Sequence, residues 1–166
     1  MQQLLARFRV PLGFVSAVLA FWLARPTSGS VAIGFVVALG GEALRVWASG
    51  HIEKGREVTR TGPYRFVRHP LYLGSAIMGV GFMIAAQSLV VAVVVSSYLL
   101  ATLMAAMRTE EAMLDARFAG EYSAYRAGTA PPVARAFSLA RVRANREYRA
   151  IIGLAVGMAV LYWKSR

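Results

Sequence analysis

The sequence predicts an all-α integral-membrane protein, a polytopic bundle of about five transmembrane helices, and three observations support this fold class. Hydrophobic residues make up 57% of the 166 residues and charged residues only 16%, whereas a soluble domain has roughly 25% charged residues. No residue from Leu71 to Met107 is charged. The charges that remain lie mostly between apolar runs, and the long run shows no polar face of the kind that a soluble helix carries.

Apolar stretches at five places in the chain predict the individual helices. The predicted spans are residues 10–24, 30–48, 71–86, 88–107 and 149–163. The first follows a basic start, as a signal peptide does, but no clean small-residue cleavage site follows it. We therefore predict a retained first helix and a single domain over residues 1–166.

The long uncharged run is predicted to form a tight helical hairpin, because Gln87 and Ser88 are its most polar point. The last stretch is short for a span, so an interfacial position is the alternative. Gly153 and Gly157 give this stretch a small-xxx-small face for close helix packing, within the chain or in a dimer.

Two charged residues, Glu42 and Arg45, interrupt the second stretch three positions apart. At this spacing they can pair with each other or face the bundle interior. A charge at the bilayer centre costs about 2.5–3.5 kcal/mol on insertion scales and often marks a function. The pair therefore supports either a structural ion pair near the cytoplasmic end or the site of a small transporter.

The distribution of basic residues predicts the orientation. Nineteen Lys and Arg against eight Asp and Glu give a net charge of +11. Most of the positive charge lies near the N-terminus, in the loop 49–70 and in the amphipathic segment 108–148, whereas the connections near 25–30 and 85–88 contain only Arg25. The positive-inside rule places the N-terminus, the loop 49–70 and the segment 108–148 in the cytoplasm. A bacterial inner membrane is the predicted location. The charge thus serves topology, and no nucleic-acid partner is predicted.

Several kinds of chemistry are excluded or weakly supported by composition. The chain has no cysteine, so disulfides, thiolate ligands and cysteine nucleophiles are excluded. Its two histidines and scattered glutamates do not form a zinc-binding pattern, and no metal site is predicted. The glycines Gly79 and Gly81 do not follow a strand, so they indicate helix packing rather than a dinucleotide fingerprint.

The first cluster of chemically capable residues is the loop 49–70, which contains both His51 and His69. His69 precedes Pro70, a residue that fits the first turn of a helix, so His69 is expected near the N-cap. The N-terminus of a helix offers free N–H groups and partial positive charge. It can hold a carboxylate, a phosphate or a ribose hydroxyl, although a basic membrane-surface loop would have a similar composition.

The second cluster is the pair Glu110 and Glu111, directly after the fourth predicted span. An amphipathic helix is predicted to follow over residues 109–126, with one face formed by Glu111, Leu114, Phe118, Tyr122 and Tyr125. Adjacent glutamates at a helix start also interact favourably with the helix dipole. The functional alternative is that these carboxylates meet the histidine, tyrosine and backbone donors of the loop 49–70 at the membrane surface.

With these two clusters in this order, the chain resembles the integral-membrane methyltransferases that include isoprenylcysteine carboxyl methyltransferases and phospholipid N-methyltransferases. The resemblance covers roughly residues 45–135. The motifs that carry it are Gly62-Pro63-Tyr64, Arg68-His69-Pro70-Leu71-Tyr72-Leu73-Gly74, Glu110-Glu111, and a tail of Leu114, Phe118, Gly120, Tyr122 and Tyr125. An uncharged helical hairpin separates the second motif from the third.

The resemblance implies S-adenosyl-L-methionine as methyl donor, bound in a cytoplasmic region without a Rossmann sheet. The cofactor-binding positions that it implies are Lys54, Arg56, Glu57, Val58, Thr59, Tyr64, His69, Pro70, Leu71, Tyr72 and Glu110. The catalytic positions that it implies are Arg108 and Glu111. Arg108 would anchor a carboxylate acceptor, and Glu111 would support Glu110.

The predicted activity is methyl transfer to the carboxylate of a lipophilic membrane substrate. The alternative is N-methylation of a phospholipid or other amine, for which Glu110, Glu111 or His69 would be the base. A small transporter centred on Glu42 is an alternative of another class, and a scaffold that binds anionic lipids through the basic segment 135–149 is a third. The predicted partners are membrane lipids and the lipophilic substrate, and the protein is expected to be a monomer or a homodimer.

Overall fold

The computed structural model describes residues 13, 15–118, 120–131 and 133–166, and within these ranges it contains helices and no strand. The helices are α1 over residues 15–23, α2 Ser28–Ser49, a 3-10 helix Gly62–Arg65, α3 Pro70–Ala86, α4 Leu89–Arg117, α5 Glu121–Ala127, α6 Leu139–Ala144 and α7 Tyr148–Lys164. The all-α class predicted from the sequence is confirmed. The part of the first predicted span before residue 13 lies outside the described residues.

Local signals fix where the long helices begin and end. Thr27 caps α2 with a capping box, in which its hydroxyl accepts from the Ser30 N–H at 3.1 Å and Ser30 Oγ accepts from the Thr27 N–H at 2.9 Å. Pro70 stands at the start of α3, where its missing N–H costs nothing. Gln87 ends α3 in the left-handed conformation, with φ of 45°, and Ser88 caps α4. These two residues form the predicted hairpin turn.

In the part of the chain that the structure describes, two helices, α2 and α4, are long and apolar enough to cross a membrane, judged by length and composition, and α3 is a shorter apolar helix. Along α4, all of which the structure describes, Val91 is the one buried residue. Leu89, Val90, Val93 and Leu100 are all more than half exposed. Such an exposed apolar surface is costly in water but not in a bilayer.

The fourth helix is longer than the span predicted for it over residues 88–107. It continues without interruption to Arg117, because neither a glycine nor a proline intervenes before that residue. The predicted amphipathic helix 109–126 is therefore wrong as one continuous element. It breaks after α4, where Gly120 has φ of +84°, a conformation that favours glycine, and α5 then begins at Glu121.

Small residues allow α2 and α3 to pack at close range. Gly34, Ala38 and Gly41 lie on the contacting face of α2, opposite Gly74 and Gly81 of α3. A Cβ atom at Gly41 would stand 2.6 Å from the carbonyl oxygen of Gly74, closer than any real Cβ contact. The backbones thus approach as in small-residue membrane helix pairs. This pairing fixes the end of α2 beside the start of α3.

The last helix, α7, packs on this pair through one side. Leu154, Met158 and Leu161 are buried there, and Gly157 leaves room for the ring of Phe82. Only half of the predicted small-xxx-small face is in contact with the rest of the described chain, because no neighbouring atom described by the structure lies within 4 Å of the position where Gly153 would carry a Cβ. Packing among the described residues therefore explains Gly157 and does not explain Gly153.

Candidate functional site

A cavity of about 1040 Å³ lies between α4 and the loop that follows α2. Val93 and Glu110 both line it and are 17 positions apart on α4, which corresponds to about 25 Å along the helix. Its polar lining includes Lys54, Glu57, Thr59, Tyr64, Arg68, His69, Tyr72, Glu110 and Arg117. Its apolar lining includes Val93, Val94, Ala101, Ala105 and Ala106. This cavity, the larger of two described below, is thus long, with charged groups at the loop end and small apolar side chains along α4.

A smaller cavity of about 330 Å³ adjoins it on the side of α7. The residues that line both cavities are Lys54, Tyr64, Arg68, His69, Tyr72 and Glu110. The residues that line only the smaller one are Arg45, Pro70, Leu71, Ser75, Leu103, Asn145, Arg146, Glu147, Arg149 and Ala150. The two predicted clusters, around His69 and Glu110, therefore meet in a wall shared by both cavities.

His69 is held by the second glutamate of the Glu110-Glu111 pair. Its Nε2 atom lies 2.8 Å from Glu111 Oε1, which accepts a hydrogen bond when that nitrogen carries the proton. A guanidinium nitrogen of Arg68 lies 3.9 Å from the same oxygen. Burial, together with the negative charge of Glu111, raises the pKa of Tyr122 to about 12, so this phenol stays protonated. Glu111 thus orients the imidazole while Glu110 faces the cavities.

Three hydroxyl groups in the wall of the larger cavity are buried without a hydrogen-bond partner among the described residues, and one of them, Tyr122 Oη, lies near the carboxylate of Glu111. The other two are Tyr64 Oη and Thr59 Oγ1. Burial also raises the pKa of Tyr64, so its hydroxyl remains neutral and able to donate. Because buried polar groups in native proteins are nearly always hydrogen-bonded, these two atoms indicate a polar ligand at this end of the cavity.

The turn that carries Tyr64 is fastened to α5. Tyr125 Oη donates to the backbone oxygen of Tyr64 at 2.6 Å, and Arg60 forms an ion pair with Glu121 at 2.9 Å. Residues of the broken amphipathic face therefore still meet at the site, because Leu114, Phe118, Tyr122 and Tyr125 all line the larger cavity. The break at Gly120 folds α5 back over the loop.

His51, the other histidine, lines neither cavity and supports the loop instead. It is buried, and its Nδ1 lies 3.1 Å from Thr61 Oγ1. Gly62 has φ of +58°, and its Cα packs so closely on the His51 ring that a Cβ would overlap it. Burial, with the nearby charges of Arg141 and Arg135, lowers the pKa of His51, so the folded protein holds it neutral.

Acidification is expected to destabilise the protein through His51. Its pKa lies below the ordinary 6.5 in the folded state, so the unfolded chain binds the extra proton as the pH falls through that value. Between pH 7.5 and 5.5 the melting temperature in detergent should therefore fall a few degrees further in wild type than in His51→Gln. An equal fall in both proteins would show that His51 does not contribute.

The structure brings most of the predicted cofactor positions to the two cavities. Those that line one or both are Lys54, Glu57, Val58, Thr59, Tyr64, His69, Pro70, Leu71, Tyr72 and Glu110. Arg56 and Arg108 are exposed and line neither. Arg108 precedes Glu110 by two positions, which is about 200° around a helix, so it points away from the cavity that Glu110 faces. Glu111 lines neither cavity and reaches them through His69.

Other lining residues were not among the predicted positions. Arg117 and Met113 lie three or four positions apart on the face of α4 that carries Glu110, so helical spacing from Glu110 would have found them. Arg68 stood in the recognised motif without an assigned role. Arg146 and Arg149 come from the far end of the chain, and no sequence pattern connects them to the loop 49–70.

A helical membrane protein with a long amphipathic cavity is the class that this fold and site define. The model of the phospholipid methyltransferase family matches residues 12–121, which is more than half of the chain. The chain belongs to this family, and the resemblance inferred from the motifs is confirmed. Comparison with curated proteins and with solved structures finds no match. The protein is thus a membrane methyltransferase of a family that acts on lipid-like substrates.

This membership also bears on the charged pair in the second span. Arg45 lies 3.7 Å from Glu42 and 2.6 Å from Glu147, so the three side chains form a mostly buried ion network. The contact between Glu42 and Arg45 is the structural ion pair that was the first of the two alternatives for these residues. A methyltransferase accounts for the clusters around His69 and Glu110, which the transporter hypothesis does not.

Proposed function

We propose that the protein transfers a methyl group from S-adenosyl-L-methionine to the head group of a lipophilic acceptor. The observation that carries the proposal is the pair of adjoining cavities, which share a polar wall around His69 and Glu110. Methyl transfer needs a polar donor and an acceptor nucleophile held in line, and positioning can offset several kcal/mol of the barrier. The shared wall is where two ligands in these cavities would meet.

The residues near the loop suit the polar donor. Thr59 Oγ1 and the Tyr64 hydroxyl are buried without a partner in the described part of the chain, and they suit the hydroxyl or ring nitrogen atoms of a nucleoside. Glu110 supplies negative charge for a cationic ligand. S-adenosyl-L-methionine, when bound, supplies a sulfonium methyl group as the electrophile. The residues that would hold it are Lys54, Glu57, Val58, Thr59, Tyr64, His69, Pro70, Leu71, Tyr72 and Glu110.

The apolar part of the larger cavity suits the lipophilic portion of the acceptor. Val93, Val94 and Ala101 line it on α4, a helix whose surface is largely exposed and would face lipid in a bilayer. An acyl or prenyl chain would lie along α4 with its head group at the loop end. In the orientation predicted from the basic residues, that end faces the cytoplasm, where the methyl donor is made.

The charges at the polar end favour a carboxylate as the methyl acceptor. Lys54, Arg68 and Arg117 line the larger cavity. Glu57, also in the lining, is neutralised by Arg135, whose guanidinium contacts its carboxylate at 2.5 and 2.6 Å. A guanidinium recognises a carboxylate with paired hydrogen bonds. Arg68 and Arg117 thus replace Arg108 as the proposed anchors, and a carboxylate nucleophile needs no base.

One observation favours an amine acceptor as the second candidate. His69 is paired with Glu111 at 2.8 Å, an arrangement that supports a general base. An ammonium group must lose a proton before it can attack a methyl group, so N-methylation would use this pair directly.

The test combines donor binding with product chemistry. Detergent-purified protein should bind S-adenosylhomocysteine saturably in a calorimeter, and in nanodiscs it should transfer labelled methyl groups to a lipid acid. An ester releases labelled methanol in mild base, whereas an N-methyl product does not, so base treatment separates the two acceptor classes. A rate that rises with pH would accompany the amine chemistry. Absence of donor binding and of transfer by folded protein would refute the proposed function.

A further inference from the structure

The chain after α5 contains a segment that returns to the end of α2, which we call the C-terminal strap, residues 135–147. It lies outside the family match, which ends at residue 121. Among the described residues, its side chains form hydrogen bonds and ion pairs with the stretch 45–57. Hydrogen bonds to backbone oxygens dock it: Arg135 donates to the His51 oxygen, the Ser138 N–H and Arg141 donate to the Gly50 oxygen, and Asn145 donates to the oxygens of Ser49 and Ile52. Ion pairs add to these, between Arg135 and Glu57, Arg141 and Glu53, and Glu147 and Arg45.

The last of these contacts ties three elements together. Arg45 of α2 reaches Glu147 of the strap at 2.6 Å and donates to Ser75 Oγ at 2.5 Å and to the Leu71 oxygen at 3.3 Å, both in α3. Glu147 is only 5% exposed. A buried ion pair is costly to break, because the charge left behind has no partner. The strap therefore has one defined position against the helices that carry His69 and Tyr72.

The strap presents a strained residue to the smaller cavity. Arg146 has φ of +58°, a left-handed conformation that is uncommon for a residue other than glycine. Its neighbours are fixed, since Asn145 donates to the Ser49 and Ile52 oxygens and Glu147 is bound to Arg45. Such strain persists only where the surroundings impose it, and it is concentrated at functional sites. Here it accompanies the placement of Arg146 in the cavity wall beside Arg149.

The lining of the smaller cavity carries a marked excess of positive charge. The cations in its wall are Arg45, Lys54, Arg68, Arg146 and Arg149. Its anions are Glu110 and Glu147, and Glu147 is already paired with Arg45. An anionic group is therefore the ligand that this cavity would stabilise, and arginine is the residue that best recognises an oxyanion.

We propose that the strap and the first turn of α7 complete the methyl-donor pocket, with Arg146 of the strap and Arg149 of α7 binding the carboxylate of the donor's amino-acid part. Glu147 and Arg45 act as positioning residues that hold the two arginines in place. This inference rests on the proposed function, since it assumes that the donor lies across the shared wall, with its nucleoside at Thr59 and Tyr64 and its amino-acid part in the smaller cavity. A phosphate from the acceptor lipid offers similar oxyanion chemistry, and the experiment separates the two sources.

The experiment compares two ligands in detergent-solubilised protein without added lipid. S-adenosylhomocysteine carries the carboxylate, and 5′-methylthioadenosine lacks the whole amino-acid part. Arg146→Gln and Arg149→Gln should each lower the affinity for the first by about 10- to 100-fold and that for the second by less than about twofold. Arg146→Lys should retain part of the affinity because it keeps the charge. Unchanged binding of 5′-methylthioadenosine also shows that each variant is folded.

Arg143→Gln is the matched control, because Arg143 lies on the strap but is exposed and lines neither cavity. It should bind both ligands as wild type does. Glu147→Gln should act like the arginine variants, with selective loss of S-adenosylhomocysteine affinity. Equal loss of affinity for both ligands, or no loss in the arginine variants, would overturn the inference. In a separate nanodisc transfer assay, a raised KM for the lipid with unchanged S-adenosylhomocysteine affinity would assign the two arginines to a phosphate of the acceptor and would also overturn it. Failure of wild type to bind S-adenosylhomocysteine would instead refute the proposed function.

Discussion

Replacing His69 by alanine is expected to lower kcat/KM for methyl transfer by about 100-fold or more. The imidazole lines both cavities at the wall that they share, and its Nε2 is fixed by Glu111 at 2.8 Å. A displacement of about 1 Å in a reacting group can cost 100-fold in rate, and loss of a general base costs about 100- to 10,000-fold. The loss is therefore large with either acceptor class.

The measurement is transfer of labelled methyl groups by wild type and variant in nanodiscs, with melting temperatures to establish folding. Arg108→Gln is the control, because this exposed arginine lies on α4, three positions before Glu111, and lines neither cavity. It should retain activity within about twofold of wild type. If Arg108→Gln lost as much activity as His69→Ala, the carboxylate would be anchored at Arg108, as the sequence comparison alone implies.

Glu111→Gln separates two roles of the imidazole in the same assay. Glutamine preserves a hydrogen-bond acceptor for His69 but removes the charge that stabilises imidazolium. With a carboxylate acceptor, orientation is sufficient, so this variant should keep most of the activity. With an amine acceptor, the proton must be taken up, so its rate should fall toward that of His69→Ala.

The sequence was sufficient to predict most of the fold because its signals are local. Uncharged runs, Thr27, Pro70 and Ser88 determine where the helices start, and α3 begins at Pro70, one residue before its predicted start. The end of α4 was missed, since charged residues from Arg108 onward suggested the end of a span, whereas helical propensity continued to Arg117. A change from uncharged to charged residues therefore does not by itself show where a helix ends.

The site was predictable where its residues lie in compact motifs and not where they come from distant segments. His69 and Glu110 were found from two short clusters that the helical hairpin brings together. The strap was not, because Asn145 and Arg141 contact backbone oxygens more than 90 positions away in the chain. Backbone oxygens carry no sequence signature, so side chains that recognise them cannot be paired from sequence alone.

The second large effect is expected at Ala101, on the apolar part of the larger cavity. Ala101→Trp should fill the space along α4 that the acceptor chain would occupy. Each buried methylene contributes about 0.8 kcal/mol, so exclusion of four would cost about 3 kcal/mol, or roughly 100-fold in kcat/KM. Binding of S-adenosylhomocysteine should be unchanged, because Ala101 lies about two and a half turns from Glu110 on the helix.

Leu100→Trp is the matched control for this substitution. Leu100 precedes Ala101 on α4 but is 65% exposed and does not line the cavity, so the same indole would face lipid there. Transfer to a long-chain acid should fall only in Ala101→Trp, while transfer to a short-chain acid should be nearly equal in both variants, since its chain does not reach Ala101. If Ala101→Trp impaired long and short acceptors equally, or not at all, the acceptor chain would have to lie elsewhere than along α4. The dependence on chain length, rather than the loss of activity itself, thus identifies the cavity along α4 as the acceptor site.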